Sequence, residues 1–219
     1  MLDRSGYFET VTLSEDDLKR NDMYRANAQR AKAQSRFADY HDYLLSLEMT
    51  AEIGDFSPLY LQRITQLTNK SNQFNLTTKR YTAEQMEAVY NSDEYIRLYG
   101  KLYDKFGDNG VVAVTIGKTD SEDKGRLDIE LWLMSCRVLK RDMELAMLDS
   151  LVAQAKKRGI REIYGHYYPT AKNKMVAGLY ESFGFEKISQ DEEGNTAWRL
   201  LVEGYEDKNT VIKVKEEHY

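Results

Sequence analysis

A chain of 219 residues, 42% hydrophobic and 31% charged, is long enough for one core domain with appendages. Its formal net charge of −5 excludes the dense basic surface that nucleic-acid binding requires and works against anchoring on an anionic membrane. No apolar run reaches bilayer-spanning length, Met1 to Thr10 lack a basic stretch followed by an apolar one, and Cys136 is the single cysteine, so a cytoplasmic protein without an intrachain disulfide is expected.

In chain order, Thr12 to Met49 reads as helix, with a capping-box-like Ser14 and Asp17 at its start. The stretch to Arg36 is polar on most faces, and Phe37, Tyr40, Leu44 and Leu47 then recur at helical spacing. That stripe can dock on the core sheet, whereas the first half, with only Leu18, Met23 and Tyr24, is expected to pack on a second copy or another chain or else to be mobile. Gly54, Asp55 and Pro58 mark the boundary to the next unit. Two amphipathic helices follow, one carrying Leu61, Ile64 and Leu67, the other starting at Thr82. Ile96 to Phe106 and Gly110 to Gly117 form a hairpin about the Gly107–Gly110 turn. Arg126 to Leu139 is the clearest strand, apolar on both faces in its second half as a central strand must be. A helix from Met143 to Lys157, a strand from Ile160 to Tyr168, a helix from Asn173 to Phe183 and a hairpin about Glu193-Gly194-Asn195 complete the order. Strand-helix-strand units imply parallel crossovers and the hairpins antiparallel pairing, so the fold class is α/β (α+β), a mixed sheet flanked by helices. The divisions are an N-terminal helical extension over 1–56, the core domain over 57–202 and a tail over 203–219.

This order resembles the GNAT acyltransferases. The likeness sharpens at Asn173 through Tyr180 to Gly184-Phe185 and at the strand, turn and helix of Arg126 to Arg158. Three motifs are similar to those of FkbH-like proteins, subfamily IIIC of the HAD superfamily. They are the run from Leu67 to Thr78 (LTNKSNQFNLTT), Ser135-Cys136-Arg137-Val138-Leu139, and Tyr167 with Pro169-Thr170 and Lys172-Asn173. Leu13 to Met49 resembles the helical exit from that family's phosphatase domain. The resemblance implies handling of a glyceryl or similar small acyl group as a thioester on an acyl carrier protein, or on coenzyme A. Two departures stand out. The D-x-D motif of a HAD phosphatase is missing, so this chain alone is not the phosphatase. The loop that in GNAT enzymes cradles pyrophosphate on helix N-terminal amides reads Arg137-Val138-Leu139-Lys140-Arg141-Asp142, with Lys140 and Asp142 where small residues are usual.

The resemblance places candidate roles on named residues. Cys136, at the end of the central strand where a GNAT sheet splays around a pantetheine arm, is a thioester-forming nucleophile or a buried small hydrophobe, with His166 as its base. Tyr180 is a general acid toward the leaving thiolate or a core aromatic. Asn173 bonds a pantetheine amide or caps a helix, and Lys140 and Arg141 meet a phosphate or water. Asn72, Gln73, Asn75 and Thr77 bind the hydroxyls and carboxylate of a small acyl group or cap local turns. No metal-ligand cluster is visible. The expected partners are an acyl carrier protein and, through the N-terminal helices, a separate HAD phosphatase or a second copy. The competing function is a non-catalytic docking module for such a phosphatase.

Overall fold

The computed structural model describes residues 15–216, and side chains from residue 24 to residue 215. Two compact units divide at Tyr43 and Leu44. In the first, α1 (Glu15–Gln34) ends in a turn, and the Asp39 carboxylate accepts from the Asp42 amide at the start of α2 (Tyr40–Ser46). The expected single helix is therefore broken at residues 35–39. Tyr43 packs its ring against Phe37 and Tyr40. Of the stripe read from sequence, Leu44 and Leu47 are buried, whereas Phe37 and Tyr40 are exposed. The Ser14–Asp17 cap and the side chains of Leu18 and Met23 lie outside the described residues; Tyr24 is exposed.

The second unit is built on one mixed sheet. Its elements are β1 (Thr50–Asp55), α3 (Pro58–Lys70), β2 (Phe74–Asn75), α4 (Ala83–Tyr90), β3 (Tyr95–Asp104), β4 (Gly107–Thr119), β5 (Arg126–Met134), α5 (Met143–Lys157), β6 (Glu162–Tyr167), α6 (Leu179–Ser182), β7 (Glu186–Gln190), β8 (Thr196–Leu201) and β9 (Lys213–Glu216). The strand order is β7-β8-β6-β5-β4-β3-β1-β9, with β2 paired to β5 off this path. Only β5–β6 and β1–β9 are parallel among these pairs.

Local chemistry sets the helices. Ser57 caps α3 and Pro58 fills its first position, where a missing N–H costs nothing. Thr82 and Gln85 close a capping box at α4. One face of the sheet is covered by α3 and α4, with Ile64, Leu67, Met86 and Val89 in one apolar cluster with Tyr99, Val114, Ile116, Leu131 and Leu133. On the other face α5 comes so close to β3 that a Cβ at Gly100 would meet the Met143 methyl and the Met147 sulfur and push those flexible side chains aside. Trp132, on that same face, packs against Tyr180 and Phe183.

Five elements of this unit differ from the sequence reading. β1 lies inside the residues assigned to the helical extension, and β9 inside the tail; β1 is held between β3 and β9, and β9 by β1 alone among the described residues. β2 falls between the two expected helices, where the sequence predicts no strand. β5 stops at Met134 because Ser135 turns the chain: its hydroxyl accepts from the Arg137 amide and a 3-10 turn follows over Cys136–Val138. The expected Asn173–Phe183 helix is a 3-10 turn at Lys174–Val176 followed by the short α6.

Candidate functional site

The parallel pair β5–β6 holds over only three positions, Arg126↔Glu162 to Asp128↔Tyr164. Beyond Asp128 the strands part, and the inner edge of β5 from Glu130 to Met134 lies open to the gap. At the fork, Asp128 accepts from His166 Nε2 at 3.2 Å and from Arg126 at 2.7 and 2.8 Å. Burial opposes the Asp128 charge, yet the His166 and Arg126 bonds outweigh it and hold its pKa below the usual carboxylate value. With Nε2 donating to Asp128, Nδ1 is the nitrogen available to take a proton. The His166 ring stacks on Tyr168 and is 27% exposed. Glu130 continues the polar face, accepting from Lys79 at 2.5 Å and Tyr81 at 3.1 Å.

At the far end of the same edge lies the loop that leads into α5. Lys140 and Asp142 both adopt left-handed backbone, φ 62° and 58°. The conformation that glycine adopts freely is thus kept by two residues that pay for it sterically. Arg63 of α3 stands near Arg137; burial and then the neighbouring guanidinium lower the Arg63 pKa. Two close cations favour a neighbouring anion. Arg141 is not part of this. It is buried, bonded to Asp104 Oδ2 at 3.1 Å and to Asn109, and Asp104 is wholly enclosed. Val138 is buried, Leu139 half-buried and Lys140 exposed.

The gap between these two ends is filled by the chain itself. Phe74 pairs with Met134 and Asn75 with Leu133, Leu76 N donates to Trp132 O at 3.2 Å, and Thr77 Oγ1 donates to Glu130 O at 2.7 Å. On the other side Tyr168 N donates to Leu76 O, and Asn173 Nδ2 donates to Asn75 O and Tyr168 O, all at 2.9 Å. Asn75 and Asn173 are 0% exposed. The expected substrate-binding roles of Asn75 and Thr77, and the pantetheine contact of Asn173, are therefore replaced by internal bonds that hold this segment. Asn72 is half-buried and bonded to Arg80; Gln73 is exposed.

Cys136 is exposed in the turn after β5. The expected Cys136–His166 pair is not formed, since His166 engages Asp128, and the strand from Glu130 to Met134 alone spans about 13 Å. Tyr180 is 1% exposed, its ring filling the space a Cβ would need at Gly165, and burial raises its pKa far above the usual value. The core-aromatic reading of Tyr180 describes what is seen. Arg126, Asp128, Glu130 and Arg63 escaped the sequence reading; the alternating Asp128 and Glu130 on the central strand were the signal available for two of them. Among the described residues no group of three or more histidine, cysteine or acidic side chains is arranged to hold a metal ion, and no helix is long and apolar enough to cross a membrane.

Solved acetyltransferases are similar in fold to this chain. The Escherichia coli ribosomal-protein-S18-alanine N-acetyltransferase aligns with 78% of this chain and 99% of its own, at 13% identity and TM-score 0.52. The fold is that of the GNAT acyltransferases. The GNAT domain of S. lividans PAT aligns with 68% of this chain and 89% of its own, at 15% identity and TM-score 0.53. The yncA protein of Salmonella typhimurium, solved with its cofactor acetyl-CoA, aligns with 74% and 99%, at 14% identity and TM-score 0.53. No protein-family model and no curated protein matches the sequence. The fold places the left-handed loop at Lys140 and Asp142 and the His166–Asp128 pair at the two ends of one strand edge.

Proposed function

We propose that the chain is an acyl-transfer domain that moves a small acyl group from a pantetheine thioester, on an acyl carrier protein or on coenzyme A, to a nucleophile presented beside His166. The observation that carries this reading is the shared strand edge: the left-handed loop at Lys140 and Asp142 stands at its Met134 end and His166–Asp128 at its Glu130 end. The loop suits a phosphate, while the edge between is already paired with residues 74–77, so the arm itself does not fit the groove as it stands. The residues present do the following. His166 Nδ1 accepts the proton of an incoming amine or hydroxyl. Asp128, fixed by Arg126, keeps the ring in the tautomer that leaves Nδ1 free to do so. Lys79 and Glu130 border the place where an acceptor would lie.

The FkbH-like motifs support a glyceryl-type acyl group, and the N-terminal helices support a separate HAD phosphatase as partner. The filled edge favours the second reading, a docking module without transfer. The discriminating experiment incubates the protein with acetyl-CoA or acyl-loaded carrier protein and a panel of amine and hydroxyl acceptors, following free thiol. Transfer that falls at least 100-fold in His166→Asn and Asp128→Asn, with unchanged melting temperature, supports the enzyme. No thiol release above the uncatalysed rate with either donor would leave the docking reading.

A further inference from the structure

We infer that residues 74–77 are an intramolecular occupant of the acyl-arm groove, and that a pantetheine-type arm gains the edge of β5 only by displacing them. The inference rests on the acyl-transfer reading above. Its basis is that the segment follows the path an arm would take. It begins level with Met134, beside the loop, and ends at Glu130, beside the fork. It meets β5 with backbone amides and carbonyls, and a pantetheine arm carries two secondary amides that offer the same donors and acceptors.

Two further observations single this segment out from an ordinary strand. The strand it covers carries a buried donor without a partner: Trp132, whose backbone carbonyl receives the Leu76 amide, leaves its Nε1 unbonded. Buried polar groups are ordinarily paired, so this orphan is a polar demand that the segment does not meet. At its end, Thr78 is held at φ 56°, a β-branched residue in left-handed backbone. Such strain is released when the segment leaves. The flanking residues Gln73, Lys79 and Arg80 are exposed, so the departing segment has polar ends already in water.

The segment is also well held. Leu76 and Asn75 are fully buried and Phe74 nearly so. Displacement therefore draws on the binding energy of whatever arrives, and free coenzyme A should bind the native chain weakly.

Hydrogen exchange on the full chain, with and without coenzyme A up to millimolar concentration and with pantetheine alone, tests this. The amide of Leu76 should exchange slowly without ligand and at least tenfold faster at saturation, while Val112 to Val114 on β4 stay unchanged. In Phe74→Ser/Thr77→Val, which loses a buried ring and the bond to Glu130, coenzyme A affinity should rise roughly 100-fold, two tenfold steps. Binding of coenzyme A with Leu76 still protected would place the arm elsewhere and overturn the inference. So would a double variant whose β4 protection is native but whose affinity is not improved. If that variant fails to fold, the wild-type exchange decides. A groove that opens as described while no acyl group is transferred would leave the inference standing and remove the proposed activity.

Discussion

Replacing Asn173 by alanine removes one side chain that ties together both walls of the gap and the segment between them. Its Nδ2 donates to Asn75 O and Tyr168 O, and its Oδ1 accepts from Thr170 N at 2.7 Å and Thr170 Oγ1 at 3.0 Å. Tyr168 and Thr170 are exposed, so water takes over there and each loss costs about 0.5–1 kcal/mol. Asn75 is wholly buried, and its carbonyl left without a donor costs about 1–3 kcal/mol. The expected total is about 3 kcal/mol, a fall in melting temperature of about 6–12 °C for a domain of this size. Urea denaturation should show the midpoint falling with an unchanged slope. Asn173→Asp keeps the acceptor for Thr170 but sets a carboxylate against two carbonyls, and should be at least as damaging. A loss below about 0.5 kcal/mol for Asn173→Ala, with native protection at Leu76 and Tyr168, would refute the account of Asn173 as the tie.

Three other outcomes follow from the same geometry. Arg141→Met takes the cation from the enclosed Asp104 carboxylate, which keeps the Phe106 amide and Asn109 Nδ2, and should cost about 3 kcal/mol in urea denaturation without changing coenzyme A affinity, whereas loss of affinity alone would restore its phosphate role. Glu144, at the start of α5, has a buried oxygen without a partner, and burial raises its pKa to about 7. The folded chain then holds this proton more tightly than the unfolded one, so this contribution to stability is full below about pH 4.5 and lost as pH rises through 7. Glu144→Gln should gain about 2 kcal/mol at pH 8 and flatten that decline; an unaltered pH profile would contradict it. Lys140→Gly relieves left-handed backbone at an exposed position and should stabilise by up to about 1 kcal/mol; destabilisation would show that the lysine side chain is needed where it stands.

The sheet was legible wherever a strand was long and its two faces differed in environment. β5, α5 and β6 followed from alternation, then helical spacing, then Gly159, and their parallel crossover fixed the fold class. β1 and β9 were not legible, because six and four residues carrying Glu52 and Asp55, and Lys213, Lys215 and Glu216, look like polar connection until a distant partner pairs with them. β2 is two residues long, and nothing local distinguishes Phe74-Asn75 from the end of α3. At the site, His166 was named but given the wrong partner. The register that brings it to Asp128 is a tertiary fact, set by where β6 begins beside β5. Tyr180 and Asn173 lie in the motif that suggested them, but burial has turned both inward.

The pairing of β9 with β1 has a consequence for how the chain is made. Thr50 lies beside Lys213, roughly 160 residues away along the chain. During synthesis β1 can pair with β3 on one side as soon as β3 is made, while its other edge stays bare until residues 213–216 have followed. For that interval Thr50 to Ile53 offers unpaired amides and carbonyls to any passing strand. Ala51 and Ile53 point to the core side, and Glu52, bonded to Tyr99 and Lys101, holds a charge in the middle of the exposed run. A charge at that point is what keeps such an edge from recruiting a neighbour while it waits for its own last strand.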